Sequence, residues 1–185
     1  MVSAETIAKL PAVLKPISDE QGANAAVALL LEHRQNDFDL LLVKRVENPA
    51  DTWSGQMALP GGKRELVDLN LKDTVVRETL EETGVALGRC RFLGVLGAVR
   101  SEPKFDYVIL PFVVLLEDEP DLKLSAAELE KFIWVPYEKV ERSRNTAEFS
   151  FGAVPAFVLV DAVVWGITYK ILSEFIEAVE EASLK

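Results

Sequence analysis

The spacing of apolar residues along the chain switches repeatedly between two residues and three or four, and each switch marks a new element. Ile7, Leu10 and Leu14 recur at helical spacing and stop before Pro16, which predicts an N-terminal helical extension over residues 1–20. The runs AAVALLLEH and FDLLLVKR flank the polar cluster RQND and read as two strands joined by a turn that holds His33. RCRFLGVLGAV and DYVILPFVVLL predict two more strands, and KFIWVP another. Pro111 points to an edge position or a bulge, because proline cannot donate to a ladder. A mid-chain helix is expected from roughly Leu71 to Thr83, with Gly84 as its stop. At the C-terminal end Val164, Ile167, Ile171, Phe175 and Val179 recur at three or four residues, which predicts a helix over 157–185 with Trp165 on its core side. Its acidic end, Glu177, Glu180 and Glu181, reads as a solvated face. With no internal repeat and no low-complexity linker, the pattern predicts one α/β unit spanning residues 1–185.

Composition narrows what that unit does. Its 185 residues, 49% of them hydrophobic, are enough for one sizeable core. A net charge of −10 argues against a duplex nucleic acid or an anionic membrane as partner, since both carry the same sign. The single cysteine, Cys90, rules out an internal disulfide framework and fits a reducing compartment, read here as a small, partly buried apolar residue. The first residues lack the apolar block of a secretory signal. The longest apolar run, FVLVDAVVWGI, is too short to cross a bilayer and contains Asp161. A cytoplasmic protein that does not enter the membrane is expected. His33 is the only histidine, so a histidine triad or a histidine-ligated zinc site is not expected.

The stretch LPGGKRELVDLNLKDTVVRETLEETGV, residues 59–85, carries the chemistry. Two glycines follow a proline, and Glu78, Glu81 and Glu82 crowd together beside Arg77. Like charges that close repel, so folding alone gives no reason to collect them. At about 100° per residue the three glutamates fall within an arc of roughly 100°, with Val76, Leu80 and Thr83 on the other side. Arg77 stands four residues before Glu81 and can orient its carboxylate. A hard divalent cation that bridges carboxylates to phosphate is the counter-charge such a cluster fits.

Gly62, five residues, Asp68, eight residues, then Arg77-Glu78-Thr79-Leu80-Glu81-Glu82-Thr83-Gly84-Val85 resembles the Nudix box. Three features depart from its usual form. Asp68 stands for the first glutamate, the spacer before Arg77 is one residue longer, and Thr79 takes an apolar position. The first two are similar to the coenzyme A pyrophosphatase branch of that family. The segments LLVKR, GQMALPGG, YVILPFV and VVWGIT resemble the same branch, extending the likeness from about Ala25 to Leu172. Against the branch pattern, Val43 and Val46 replace a threonine and a small residue, Leu59 replaces phenylalanine, and no arginine lies between Arg45 and Gly62.

The resemblance implies a Nudix-type α/β/α sandwich with a mixed β-sheet, and hydrolysis of the diphosphate in a nucleoside diphosphate joined to another group. Coenzyme A or a relative is the expected substrate. ADP-ribose, dinucleoside polyphosphates and oxidised nucleoside triphosphates are the alternatives, and a catalytically silent nucleotide-binding module is a further one. Mg²⁺ or Mn²⁺ is the implied cofactor, held by Glu78 and Glu82 with Glu81 close by and Asp68 assisting through water. Glu81 and Glu128 are both candidates for the general base, and Arg77 orients a glutamate. Gly61 and Gly62 let backbone approach the phosphates. Arg45 could reach a phosphate, while Phe105, Tyr107 and Trp53 could stack on a base or pack at the rim. A small-molecule nucleotide is the expected partner, and a homodimer is left open.

Overall fold

The computed structural model describes residues 4–34, 37–49, 53–101 and 107–185. The chain opens with α1 (Ala4–Lys9) and one 3-10 turn (Leu10–Ala12), so the N-terminal extension is helical over only part of its expected length. Strands β1 (Ala25–Arg34) and β2 (Asp37–Arg45) follow, then the short β3 (Met57–Ala58) and β4 (Gly61–Lys63). Next come α2 (Leu71–Thr83), β5 (Arg91–Val95), β6 (Val99–Arg100), β7 (Val108–Leu115) and β8 (Leu129–Pro136). The last third holds α3 (Tyr137–Arg142), β9 (Arg144–Phe149), β10 (Gly152–Val158), β11 (Val163–Trp165) and α4 (Gly166–Leu184).

The main sheet runs β3-β2-β1-β7-β5, with β4 also on β1, β6 on β7 and β8 on β2. β1 and β7 are parallel and the remaining pairs antiparallel, which makes the sheet mixed. Side chains alternate across it. Leu29, Leu31, Leu40 and Leu42 meet α4 through Ile171, Phe175 and Val179, while Ala28, Leu30, Leu41 and Val43 meet Leu71 and Val75 of α2. This is an α/β/α sandwich, as expected. No helix among the described residues is long and apolar enough to cross a membrane.

Three expectations need correction and one is narrowed. The terminal helix begins at Gly166, not at residue 157, because Phe157–Trp165 folds back as the β10–β11 hairpin with Phe157 paired to Val164. Its β-branched residues suit a strand, and a short apolar run does not reveal its own period. Trp165 therefore lies on β11, where it packs on Phe149 and Phe151 at centroid distances of 4.9 and 5.5 Å. Together β9, β10 and β11 make a second, three-stranded sheet that the apolar pattern did not disclose. Of the two expected settings for Pro111 the edge is excluded, since it lies inside the main sheet between β1 and β5, and the bulge holds: residues 96–98 face only residues 110–111 between the Val95–Phe112 and Val99–Ile109 pairs. Its carbonyl accepts from Leu96 N–H at 3.0 Å, so its nitrogen faces the same side, where the neighbouring chain breaks between β5 and β6. The missing donor falls in that break. His33 is on β1, paired with Phe38, and exposed.

Candidate active site

Helix α2 is fixed at both ends. Asn70 caps it by accepting from Asp73 N–H at 3.0 Å, and Gly84, at φ +75°, turns the chain away while donating to the Leu80 carbonyl at 2.9 Å. The face it presents to the sheet differs from the expected one. Leu71, Thr74, Val75, Thr79, Glu82 and Thr83 are buried, and Leu80 is half exposed. Glu82 thus points into the sheet from the middle of the packed face, and only 3% of it is exposed. Carboxylate charge and packing share one side of the helix, whereas the sequence pattern set them apart.

Strand β4 makes this tolerable. Gly61 N–H donates to Glu82 Oε2 at 2.9 Å. A Cβ on Gly61 would lie 2.2 Å from the Ala26 carbonyl oxygen, and its φ of +146° is open to glycine and strained for other residues. A Cβ on Gly62 would lie 2.5 Å from the Glu78 carboxyl carbon, so the second glycine clears the space that Glu78 fills. Glycine at both positions lets backbone close on two carboxylates one helical turn apart.

Arg77 organises the outer half of the cluster. Its Nε donates to Asp68 Oδ1 at 3.1 Å and its Nη2 to Asp68 Oδ2 at 2.8 Å and to the Lys63 carbonyl at 3.2 Å. Its Nη1 donates to Glu78 Oε1 at 2.8 Å and to Glu81 Oε2 at 3.2 Å. A guanidinium has five N–H donors, and these five bonds use them all. Asp68 Oδ2 also accepts from Glu65 N–H at 2.9 Å and from Thr74 Oγ1 at 3.0 Å. Asp68 is buried, and the hydrogen bonds from Arg77 hold its carboxyl well below the usual carboxylate range. In this geometry both Asp68 oxygens anchor Arg77.

The inner carboxylates have the opposite electrostatics. Burial raises the Glu82 carboxyl to about 7, opposed by Gly61 N–H and the charge of Arg45 and reinforced by Glu128 and Glu78. Burial also raises Glu78, with Arg77 pulling the other way and Glu81 and Glu128 adding to the rise. Glu128 stands exposed in the turn before β8, and its charge registers on both Glu78 and Glu82. The fold therefore gathers Gly61, Gly62, Asp68, Arg77, Glu78, Glu81 and Glu82, with Arg45 and Glu128 within electrostatic reach.

A cavity of about 220 Å³ opens beside this cluster, lined in part by Arg45, Gly61, Gly62, Trp53, Tyr107 and Ile167. The Trp53 and Tyr107 rings stand 5.6 Å apart, and Lys63 Nζ lies 5.6 Å above the Tyr107 ring. Phe105 lies outside the described residues. The α4 residues Ile167, Thr168 and Ile171 close the cavity, with Thr168 Oγ1 donating to the Met57 carbonyl at 3.1 Å. Ile167 and Thr168 belong to the VVWGIT segment singled out from sequence, but the place of all three on the cavity wall was not anticipated, because nothing local links a terminal helix to a motif about a hundred residues earlier.

As the side chains stand, no three His, Cys, Asp or Glu groups among the described residues converge at ligating distance. Arg77 draws one oxygen each of Glu78 and Glu81 to itself. The donor set still fits a small hard cation. Mg²⁺ commonly takes one or two carboxylates and completes its shell with water and substrate phosphate, and Glu78 with Glu82 supplies two carboxylates one helical turn apart whose charged forms burial disfavours until a cation arrives.

A family model described as the NUDIX domain matches residues 21–157. A Schizosaccharomyces pombe protein of uncharacterized function is 38% identical over 103 residues, 52% of this chain, and this chain spans about a third (31%) of its length. The uncharacterized Nudix hydrolase NudL of Photorhabdus laumondii is 26% identical over 93% of this chain and 92% of its own. The human mitochondrial coenzyme A diphosphatase NUDT8 is 26% identical over 83% of this chain and 67% of its own. In structure, the NUDIX domain of Shewanella oneidensis NrtR, solved with ADP ribose, superposes over 87% of both chains with a TM-score of 0.56 and 20% identity.

Proposed function

The chain belongs to the Nudix family, and from that premise we propose a hydrolase of the diphosphate in a nucleoside diphosphate linked to another group, with coenzyme A or a close relative as substrate. Members of this family generally need a divalent cation. Here Glu78 and Glu82 would hold Mg²⁺ or Mn²⁺, with Glu81 beside them. When bound, the ion neutralises phosphate charge and makes an attacking water more acidic.

The single observation that carries this reading is the full commitment of Arg77. With five donors spent on Asp68, Glu78, Glu81 and the Lys63 carbonyl, it positions carboxylates and has no donor left for substrate. A silent binding module has no use for such an arrangement. Substrate phosphate then falls to Arg45, with Gly61 and Gly62 leaving room for it to approach the carboxylates, and the group beyond it to the cavity walled by Trp53 and Tyr107. Glu128 is our candidate to take the proton of the attacking water, supported by its exposure and its influence on both inner glutamates, with Glu81 as the alternative base. The lone half-buried Cys90 supports a reducing compartment, taken here as the cytoplasm.

Coenzyme A is favoured by Asp68 with its longer spacer and by the likeness to the human coenzyme A diphosphatase. The test is a substrate panel with Mg²⁺ and with Mn²⁺. Coenzyme A should be cleaved to an adenosine phosphate and phosphopantetheine with the highest kcat/KM. A value for ADP-ribose or a nucleoside triphosphate about a hundredfold higher, roughly 2.7 kcal/mol of transition-state preference, removes coenzyme A and leaves the diphosphate chemistry.

A further inference from the structure

Lys44 and Lys131 stand directly opposite each other where β2 and β8 pair antiparallel. Like charges so placed destabilise a sheet, and the chain as a whole is strongly acidic, so a positive pair calls for a reason. Both lysines line a groove of about 550 Å³ between the main sheet and the β9–β11 sheet, with Phe149 and Trp165 as its aromatic wall. Gln56 and Met57 line this groove and also the catalytic cavity, so the two are neighbours across β3. Lys44 Nζ donates to Glu130 Oε2 at 2.6 Å, which engages one of its three donors. Lys131 is exposed and has no carboxylate partner among the described residues. Among the described residues, Asp161 is the one acid that lines the groove.

We propose that this groove receives a second phosphoryl group of the substrate, a phosphate monoester carried beyond the diphosphate that is cut, which in coenzyme A is the 3′-phosphate. The proposal rests on the diphosphatase reading above and refines it. A dianionic monoester has acceptors for the two remaining Lys44 donors and for Lys131, and it relieves the cross-strand repulsion by sitting between the two ammonium groups. The aromatic wall makes one side of the groove less polar, which strengthens those contacts. Lys44 and Lys131 are 87 positions apart in sequence, so only strand pairing brings them together.

The measurement is kcat/KM for coenzyme A and for 3′-dephospho-coenzyme A, with the wild-type chain and with a Lys44→Gln, Lys131→Gln double variant whose melting temperature confirms folding. Wild type should favour coenzyme A by about tenfold, or about 1.4 kcal/mol, expressed in KM with kcat little changed. In the double variant the ratio should fall to near one. Single Lys44→Arg and Lys131→Arg variants keep the charge and should keep most of the ratio. Equal values for the two substrates in wild type, or a ratio that survives in the double variant, overturns the groove assignment and leaves the diphosphatase reading standing. If neither substrate is cleaved while another dinucleotide is, the coenzyme A reading fails and the groove assignment goes with it.

Discussion

The two faces of the main sheet are built from alternate residues of the same strands, yet they have different compositions. On the α4 face, Phe38, Tyr137 and Phe175 form a tight aromatic group with centroids 4.9, 5.9 and 6.2 Å apart, surrounded by aliphatic side chains. On the α2 face, Thr74, Thr79 and Glu82 are buried among the aliphatics, and buried Asp68 locks the loop before the helix to Arg77. The first face gains stability from apolar area and packing. The second gives up some of that gain to hold charge away from water, where a cation or phosphate meets less competition. Changes on the two faces should therefore move different observables.

The largest effect is expected on catalysis. Glu82→Gln keeps shape and hydrogen-bonding capacity but removes the buried charge, and should lower kcat about 10³- to 10⁴-fold, roughly 4–5.5 kcal/mol, with the circular dichroism spectrum unchanged. A near-normal rate would remove Glu82 from the reaction. On the other face, Phe175→Ala should cost about 3–5 kcal/mol of stability, read by denaturant unfolding, with kcat of the folded fraction within a few-fold of normal. Should that variant lose activity while keeping its stability, the division between the faces is mistaken.

Arg77→Lys sharpens the comparison within the polar face. Lysine has three donors and no planar fork, so it cannot hold Asp68, Glu78, Glu81 and the Lys63 carbonyl together. Metal affinity or activity should fall by about 10- to 100-fold, seen as a raised Mn²⁺ requirement, with substrate KM at saturating metal little affected. A rise in KM alone would assign Arg77 to substrate.

The pH dependence is smaller. Glu82 has a folded-state pKa near 7, above its ordinary value of 4.5. The folded state therefore binds this proton more tightly than the unfolded chain. The stability it contributes is fully present below about pH 4.5 and is lost as pH rises through about 7, on the order of 1–3 kcal/mol. Melting temperature in chelator should fall between pH 5 and 8 for wild type and fall less steeply over that range for Glu82→Gln, in which Glu78 alone of the two inner glutamates remains. Equal slopes in the two proteins would mean that Glu82 is charged throughout. The smallest effect belongs to Leu80→Gln, about 0.5 kcal/mol or less, because Leu80 is 48% exposed although the apolar pattern assigned it to the packed side. A cost of several kcal/mol in thermal unfolding would reinstate that assignment.

What the sequence determined by itself is local. The bounds of α2 follow from its cap at Asn70 and stop at Gly84, both short-range signals, and β1, β2, β7 and β8 follow from apolar runs of strand length. The acidic cluster and its neighbouring glycines were legible because their spacing is fixed along one helix and the strand before it. Tertiary structure decided the rest. Which face of α2 turns inward depended on Gly61 donating its N–H to Glu82 and on Gly62 leaving room for Glu78, facts of packing that helical period alone could not carry. Whether FVLVDAVVW became helix or hairpin depended on partners, since each period fits so short an apolar run. The five-way commitment of Arg77, the closure of the cavity by α4 and the meeting of Lys44 with Lys131 all join residues distant in sequence, and such contacts exist only once the chain has folded.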